Sequence, residues 1–171
     1  MGTIASTPRL ELREFAHDDA PFILELVNDA SWLRFIGDRN VHSVDDAEGY
    51  LDKGPLTSYD ANGFGLYLVV RREDDVRVGM CGLVKRDSLD HPDIGYAFLP
   101  AFRGLGYATE AASAMLTHAW SSLALSRVYA ITSQDNDLSI RVLIRLGFEA
   151  QGQMSVRDGE PDVNLYAIQA P

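Results

Sequence analysis

The segment Arg103-Gly-Leu-Gly-Tyr-Ala-Thr-Glu110 (RGLGYATE) separates two segments of different pattern. Residues 94–99 are typical of a β-strand, whereas the apolar residues of 108–120 recur at helical spacing. The glycines therefore lie in a loop that leads from a strand into a helix. There, unpaired backbone N–H groups and the positive helix end meet, and glycine lets a phosphate approach closely. The segment predicts an anion site with Arg103 as a fixed charge beside it. The alternative is a tight turn with a surface arginine.

The composition is that of a globular protein and narrows the classes of partner. The chain has 171 residues, of which 46% are hydrophobic, and a formal net charge of −10. This charge argues against nucleic-acid and anionic-membrane partners and is compatible with an amine substrate. No apolar run approaches the roughly 20 residues of a membrane span. The N-terminus lacks the order of a signal peptide, so we expect a cytoplasmic location.

The residues that bind metals or form disulfides are sparse. Cys81 is the single cysteine, so no internal disulfide can form, and its place in an apolar strand pattern predicts a buried packing role. The four histidines have no ligand spacing, so we expect no metal site.

The remaining patterns predict one α/β domain over residues 1–171, in which 1–7 form a short flexible tail. Its N-terminal half is expected to be antiparallel, and a crossover helix is expected to link a central parallel strand pair. A third helix is predicted to begin at Ser43 and to end at Gly54-Pro55. The predicted strands cover residues 9–13, 64–71, 77–85, 93–99, 127–133, 148–156 and 163–168, and the predicted helices start near 19, 31, 43, 107 and 138.

Within the opening segment, Arg103, Gly106 and Ala108 spell Arg-x-x-Gly-x-Ala. Here the chain resembles the GNAT N-acetyltransferase superfamily, whose pyrophosphate loop follows (Gln/Arg)-x-x-Gly-x-(Gly/Ala). The resemblance covers nearly the whole chain and is closest to the branch of ribosomal-protein N-terminal acetyltransferases, the RimJ/RimL type. The further matching motifs are Thr7-Pro-Arg-Leu-Glu-Leu-Arg13, Asp18-Asp-Ala20, Asp93-Ile-Gly-Tyr96, Asn136-x-x-Ser139 and Leu146-Gly-Phe148.

The resemblance implies an α/β GNAT fold, with a mixed central sheet of about seven strands that is splayed between the fourth and fifth and flanked by helices. It also implies acetyl-CoA as co-substrate, without a metal. The pantetheine arm would pair with the strand edge near Phe98 and Leu99, and the pyrophosphate would lie on the amides of 103–109. The cofactor-binding residues it implies are Phe98, Leu99, Arg103, Gly104, Leu105, Gly106, Tyr107, Ala108, Thr109, Asn136 and Ser139.

The implied reaction transfers an acetyl group to a primary amine, and it needs a donor to the oxyanion, for which a backbone N–H near Leu99 is expected. Asn136 and Ser139 lie one helical turn apart and face the same way. One interpretation places Asn136 on the pantetheine and Ser139 at the sulfur; the other is helix capping with a solvent-facing serine. Many members of the superfamily carry a tyrosine acid where this chain has Leu143, so Ser139 becomes the candidate acid. Tyr96 and Tyr107 are the further candidates for the general acid.

Of the catalytic roles, the sequence determines the general base least well. Asp93 opens the central strand and is the favoured candidate, because Asp158, Glu160 and Asp162 are explained by solvation in the last hairpin. No dedicated base is needed if the amine arrives partly neutral.

The acceptor is not determined by a motif. It is expected to be a protein N-terminus or a small amine, and its pocket could be walled by Trp32 to Ile36, for which core packing is the alternative. The protein is expected to be a monomer or a homodimer. A non-catalytic acyl-CoA-binding or sensor module is the second hypothesis. A dinucleotide-binding domain is disfavoured because no Gly-x-Gly-x-x-Gly follows the first strand.

Overall fold

A computed structural model describes residues 2–171, and its centre is an eight-stranded mixed sheet flanked by helices. The strands lie in the order β1-β2-β3-β4-β5-β6-β8-β7. They are β1 Thr3–Ser6, β2 Leu10–Arg13, β3 Leu66–Arg71, β4 Val76–Val84, β5 Asp93–Phe98, β6 Arg127–Thr132, β7 Glu149–Met154 and β8 Val163–Gln169. The helices are α1 Ala20–Val27, α2 Ala30–Phe35, α3 Val44–Leu51, α4 Thr57–Asn62, α5 Tyr107–Ser121 and α6 Asp137–Leu146. No helix within residues 2–171 is long and apolar enough to cross a membrane.

The predicted flexible tail is wrong for residues 3–6, which form β1 and pair antiparallel with β2. Residue 1 lies outside the described residues. The strand forms because Ile4 and Ala5 are partly buried against the main core. This edge strand raises the count from about seven to eight.

The predicted start of the third helix is confirmed, but its predicted end is wrong. Ser43 accepts a hydrogen bond from the Asp46 N–H at the start of α3. The chain then continues through a π-helical turn, Asp52–Leu56, into α4. Pro55 is tolerated because a π turn already interrupts the regular hydrogen-bond ladder, so its missing N–H does not end the helix. Gly63, at φ +74°, ends it instead.

The predicted splay lies between β5 and β6. β5 pairs with β4 over its whole length, from Asp93 to Phe98, and β6 pairs with β8 over Arg127–Thr132. Between β5 and β6, however, the ladder holds only at Asp93 and Tyr129. The two halves of the sheet therefore part beyond Asp93 and leave one edge of each central strand open.

Two glycines of β4 allow a close approach of neighbouring backbone. A Cβ on Gly79 would lie 2.5 Å from the Ala97 carbonyl oxygen, and one on Gly82 would lie 2.1 Å from the Gly65 oxygen. The ladder between β3 and β4 also shifts register opposite Gly79. β4 therefore lies close to β5 at Gly79, along the edge opposite the splay, and close to the start of β3 at Gly82.

The two faces of β5 join two different cores. Ile94, Tyr96 and Phe98 pack into the core that contains α5 and part of α6, whereas Ala97 and Leu99 pack into the core formed with α1, α2 and α3. Trp32 is buried in the second core, while Leu33 and Ile36 are exposed. For Trp32, the structure therefore shows core packing.

A buried carboxylate ties α1 to the sheet. Asp19 is 1% exposed and accepts hydrogen bonds from Arg13 of β2 at 2.9 Å and from Arg77 of β4 at 2.7 Å. It also accepts one from the Ala16 N–H. Burial raises the pKa of Asp19, but the two arginines outweigh burial, so the net pKa lies below its ordinary value.

We predict that Asp19→Asn lowers the free energy of unfolding at pH 7 by roughly 2–4 kcal/mol, because it removes the buried negative charge that both Arg13 and Arg77 contact. A carboxylate with a lowered folded-state pKa stabilises the fold above its unfolded pKa of about 4, and that stabilisation is lost as pH falls. The difference between wild type and Asp19→Asn in urea unfolding should therefore shrink as pH falls below about 4. The exposed neighbour gives the control, Asp18→Asn, which should stay near wild type; equal losses in both variants would contradict the prediction.

Candidate active site

The turn before α5 is built as an anion site. Gly104 and Gly106 have φ of +72° and +82°, a region that favours glycine. Gly106 is the N-cap of a 15-residue helix that has no side-chain cap. The first N–H groups of a helix have no intrahelical partner, so those of Tyr107, Ala108 and Thr109 point out of the helix start.

The sequence predicts Arg103 as the charge beside this turn, but its side chain is bound to other residues. Its Nη2 lies 2.5 Å from Asp29 Oδ2, its Nη1 donates to Ser31 Oγ at 3.0 Å, and its Nε donates to the Phe98 carbonyl at 2.9 Å. Asp29 is the N-cap of α2. Burial raises the pKa of Asp29, but its contact with Arg103 prevails and the net pKa is lowered. Arg103 therefore joins the end of β5 to α2.

Arg9 occupies the place expected for Arg103. Its Nη1 donates to the Leu105 carbonyl at 2.9 Å, its Nε donates to Glu110 at 2.7 Å, and its guanidinium lies 4.6 Å from the centre of the Tyr107 ring. A Cβ on Gly106 would lie 3.3 Å from Arg9 Nη2. The half-exposed Arg9 is thus the cation beside the turn. The only signal for it in the sequence was the N-terminal motif of 7–13.

The open edge of β5 presents backbone groups to the splay. The Leu99 N–H donates to Val78 at 3.0 Å, and the Tyr129 N–H donates to Pro92 at 2.9 Å. Because N–H groups alternate in direction along a strand, those of Tyr96 and Phe98 face the opening. Leu99 itself offers no free N–H, so the nearest candidate oxyanion donor is the N–H of Phe98.

Two hydroxyl groups meet across the opening. Asn136 caps α6 by accepting from the Ser139 N–H at 3.3 Å, which leaves its NH₂ group free of protein partners within residues 2–171. Ser139 Oγ lies 2.9 Å from the Tyr96 hydroxyl, which also donates to the Ser139 carbonyl at 3.2 Å. Ser139 is half-buried and does not point into solvent. Leu143 is buried in the core and offers no donor.

The Tyr96 hydroxyl remains protonated at neutral pH. Burial raises the pKa of Tyr96 to about 12, against an opposing effect of its hydrogen bond to Ser139. The phenol is therefore a hydrogen-bond donor beside Ser139. Its strand neighbour Cys81 is fully buried, as predicted, and burial raises the pKa of its thiol.

Asp93 lies apart from this pair. It is 1% exposed and accepts from Arg86 Nε at 2.8 Å. Burial raises its pKa, and Arg86 opposes that rise. Asp93 is three residues from Tyr96 along β5, so the two side chains point to opposite faces of the sheet. The other proposed carboxylates, Asp158, Glu160 and Asp162, are exposed in the connection between β7 and β8.

A cleft of about 780 Å³ lies between the α2–α3 connection, the helical layer from α3 to α4 and the adjoining ends of β3 and β4. Its apolar lining includes Val41, Tyr50, Leu66 and Val84. Its lining residue Leu66 lies beside β5, since a Cβ on Gly95 would be 3.5 Å from the Leu66 side chain. None of residues 32–36 lines it. Within residues 2–171 there is no group of three or more His, Cys, Asp or Glu side chains arranged to hold a metal.

Comparisons with known proteins agree with this geometry. A model of the acetyltransferase (GNAT) domain matches residues 9–149. The chain is 28% identical over 176 residues to the uncharacterized N-acetyltransferase YoaA of Bacillus subtilis, covering 100% of this chain and 99% of the relative. It is 22% identical over 150 residues to spermidine N(1)-acetyltransferase of Escherichia coli, covering 87% and 77%. RimL, a ribosomal L7/L12 α-N-protein acetyltransferase solved with coenzyme A, shares the fold with a TM-score of 0.84 at 22% identity, covering 98% of both chains.

Proposed function

Since the chain belongs to the GNAT acetyltransferase family and is an N-acetyltransferase, we propose that residues 1–171 form a single domain that moves the acetyl group of acetyl-CoA to a primary amine by direct attack on the thioester. We place it in the RimJ/RimL-like branch. One observation carries the proposal: the uncapped helix start, the open edge of β5 and the Tyr96–Ser139 pair all border the same splay.

The residues around the splay fit the cofactor. The pyrophosphate would lie on the amides of residues 106–109, beside Arg9, and the pantetheine would pair with the edge at Tyr96 and Phe98. The free NH₂ group of Asn136 supplies a further donor to the pantetheine. In support, the RimL structure that shares this fold is a complex with coenzyme A.

The reaction needs few protein groups. The neutral amine nitrogen forms a bond to the thioester carbon, the carbon–sulfur bond breaks, and the thiolate leaves. The Phe98 N–H stabilises the oxyanion. Ser139 donates its proton to the thiolate and is reprotonated from solvent, and Tyr96 holds the serine hydroxyl in place. The amine loses its proton to solvent, because the carboxylate of Asp93 is buried and paired with Arg86.

The second candidate, a non-catalytic acyl-CoA-binding or sensor module, is favoured by one observation, the buried Leu143 at the position of the usual acid. Thiol release from acetyl-CoA, measured with a panel of primary amines, separates the two functions. Acetylation of any amine supports the proposed acetyltransferase function. Tight binding of coenzyme A without turnover of any amine supports the sensor.

We predict that Ser139→Ala lowers kcat by about 100-fold, the scale of general acid catalysis, and that Tyr96→Phe lowers it by about 10-fold. Both variants should keep the KM for acetyl-CoA within about twofold, because neither hydroxyl binds the pyrophosphate. The control is Tyr166→Phe, a buried tyrosine of β8 away from the splay. Wild-type kcat in both Ser139→Ala and Tyr96→Phe would remove the hydroxyl pair from the mechanism.

We also predict opposite effects for two arginines. Arg9→Gln should weaken acetyl-CoA binding by about three- to tenfold with little loss of stability, as expected for an exposed cation worth roughly 1 kcal/mol. Arg103→Gln should mainly lower the melting temperature, since it leaves the nearly buried Asp29 without its partner. Calorimetric titration and thermal unfolding measure the two effects. The reverse pattern would restore Arg103 as the pyrophosphate contact.

A further inference from the structure

The cleft beside β5 holds an unusual share of the positive charge of the chain. The chain has a formal net charge of −10 and contains two lysines, Lys53 and Lys85. Both of them line the cleft, together with Arg39. Three cations of this acidic protein thus lie around one concave surface.

These three cations are not neutralised by the protein. Within residues 2–171, none of them makes a side-chain hydrogen bond or an ion pair. By contrast, eight other arginines form ion pairs with carboxylates. Burial raises the pKa of the Tyr50 hydroxyl, and the positive charge of Arg39 opposes that rise without cancelling it. The cations therefore face the cleft without a partner.

Two carboxylates also line the cleft, and both belong to the start of α3. Asp46 accepts a hydrogen bond from the His42 N–H at 2.9 Å. Asp45 lies in the first turn of α3, where the positive end of the helix favours a negative charge. Both carboxylates are thus accounted for by the helix start, and neither forms an ion pair with Lys53, Lys85 or Arg39.

The cleft has the size and position of an acceptor site. Its volume of about 780 Å³ lies in the range of small-molecule binding sites. Part of its lining is apolar, as is usual for such sites. Leu66, one of its lining residues, lies beside Gly95 of β5, on the face opposite Tyr96. An acceptor in the cleft would therefore approach β5 from the face opposite the Tyr96–Ser139 pair.

We propose that the acceptor is a small amine that carries an anionic group, a carboxylate or a phosphate, which Lys53, Lys85 and Arg39 bind while the amine reaches the thioester. The inference rests on the proposed acetyl transfer. The net charge of −10 alone would favour a basic acceptor, whereas the cations of the cleft favour an anionic group. A polyamine in this cleft would bring its charges against three unpaired cations, and such like-charge contacts are costly.

The test compares amines that differ in the anionic group. Thiol release from acetyl-CoA is measured with 4-aminobutyrate against butylamine for the carboxylate, and with phosphoethanolamine against ethanolamine for the phosphate. We expect kcat/KM to be at least about 10-fold higher for the anionic member of one pair, and that pair identifies the group. Higher kcat/KM for the members that lack the anionic group or for putrescine, or turnover of only amines without an anionic group, overturns the inference and leaves acetyl transfer intact. If acetyl-CoA binds but none of these amines is acetylated, the inference is overturned; if acetyl-CoA does not bind, the proposed function fails as well.

Charge-reversal variants test whether the cations of the cleft cause the preference for an anionic amine. In Lys53→Glu and Lys85→Glu, kcat/KM for the preferred anionic amine should fall by at least about fivefold, while the KM for acetyl-CoA stays unchanged. Lys53→Arg should keep the activity. Arg145→Glu is the matched control, because it makes the same change in net charge at an exposed residue of α6 outside the cleft. An equal effect of Arg145→Glu and the two lysine variants would show that only the overall charge matters and would overturn the proposal.

Discussion

The site depends on the unequal pairing of β5. One edge of β5 is held by β4 along its whole length, with a close backbone approach at Gly79, whereas the other edge meets β6 only at Asp93 and Tyr129. A strand that is fixed on one side can keep its shape while its free edge stays open. The opening thus needs no flexible loop, and it presents backbone donors at fixed positions.

Because side chains alternate along β5, its two faces carry different functional groups. Tyr96 points toward α6 and meets Ser139, whereas Asp93 points the other way, toward the side of the cleft. The pair of hydroxyls and Asp93 therefore lie on opposite faces of a single strand. We propose that the cofactor and the acceptor meet across this strand, with the anionic group of the acceptor held at a distance from the reacting amine.

The sequence predicted those features that depend on neighbouring residues. The glycine turn, the helix start at Ser43 and the buried Cys81 all follow from local pattern, and the structure shows each of them. The features it missed depend on contacts between distant segments. Arg9 reaches a turn almost one hundred residues away, while Arg103, which the motif favoured, is held by Asp29 and Ser31 of α2. The spacing of residues along the chain does not show which of these two arginines reaches the turn.

Two errors of element prediction have the same origin. Pro55 stays within a helical layer because its surroundings stabilise a π turn, and residues 3–6 form a strand because β2 offers them an edge. The cleft is also a tertiary feature, formed where the α2–α3 connection faces the ends of β3 and β4. Its charge could not be inferred from the acidic composition, since net charge does not specify where the few lysines lie.

The central claim, that the turn before α5 binds the pyrophosphate of acetyl-CoA, is tested most directly by calorimetric titration with acetyl-CoA and with acetyl-pantetheine, which lacks the pyrophosphate. The wild-type protein should bind acetyl-CoA at least about 10-fold more tightly. Gly106→Glu, which adds a side chain and a negative charge at the helix start, should abolish that difference while both proteins still bind acetyl-pantetheine. No binding of acetyl-CoA at millimolar concentration, or an unchanged preference in Gly106→Glu, would contradict it.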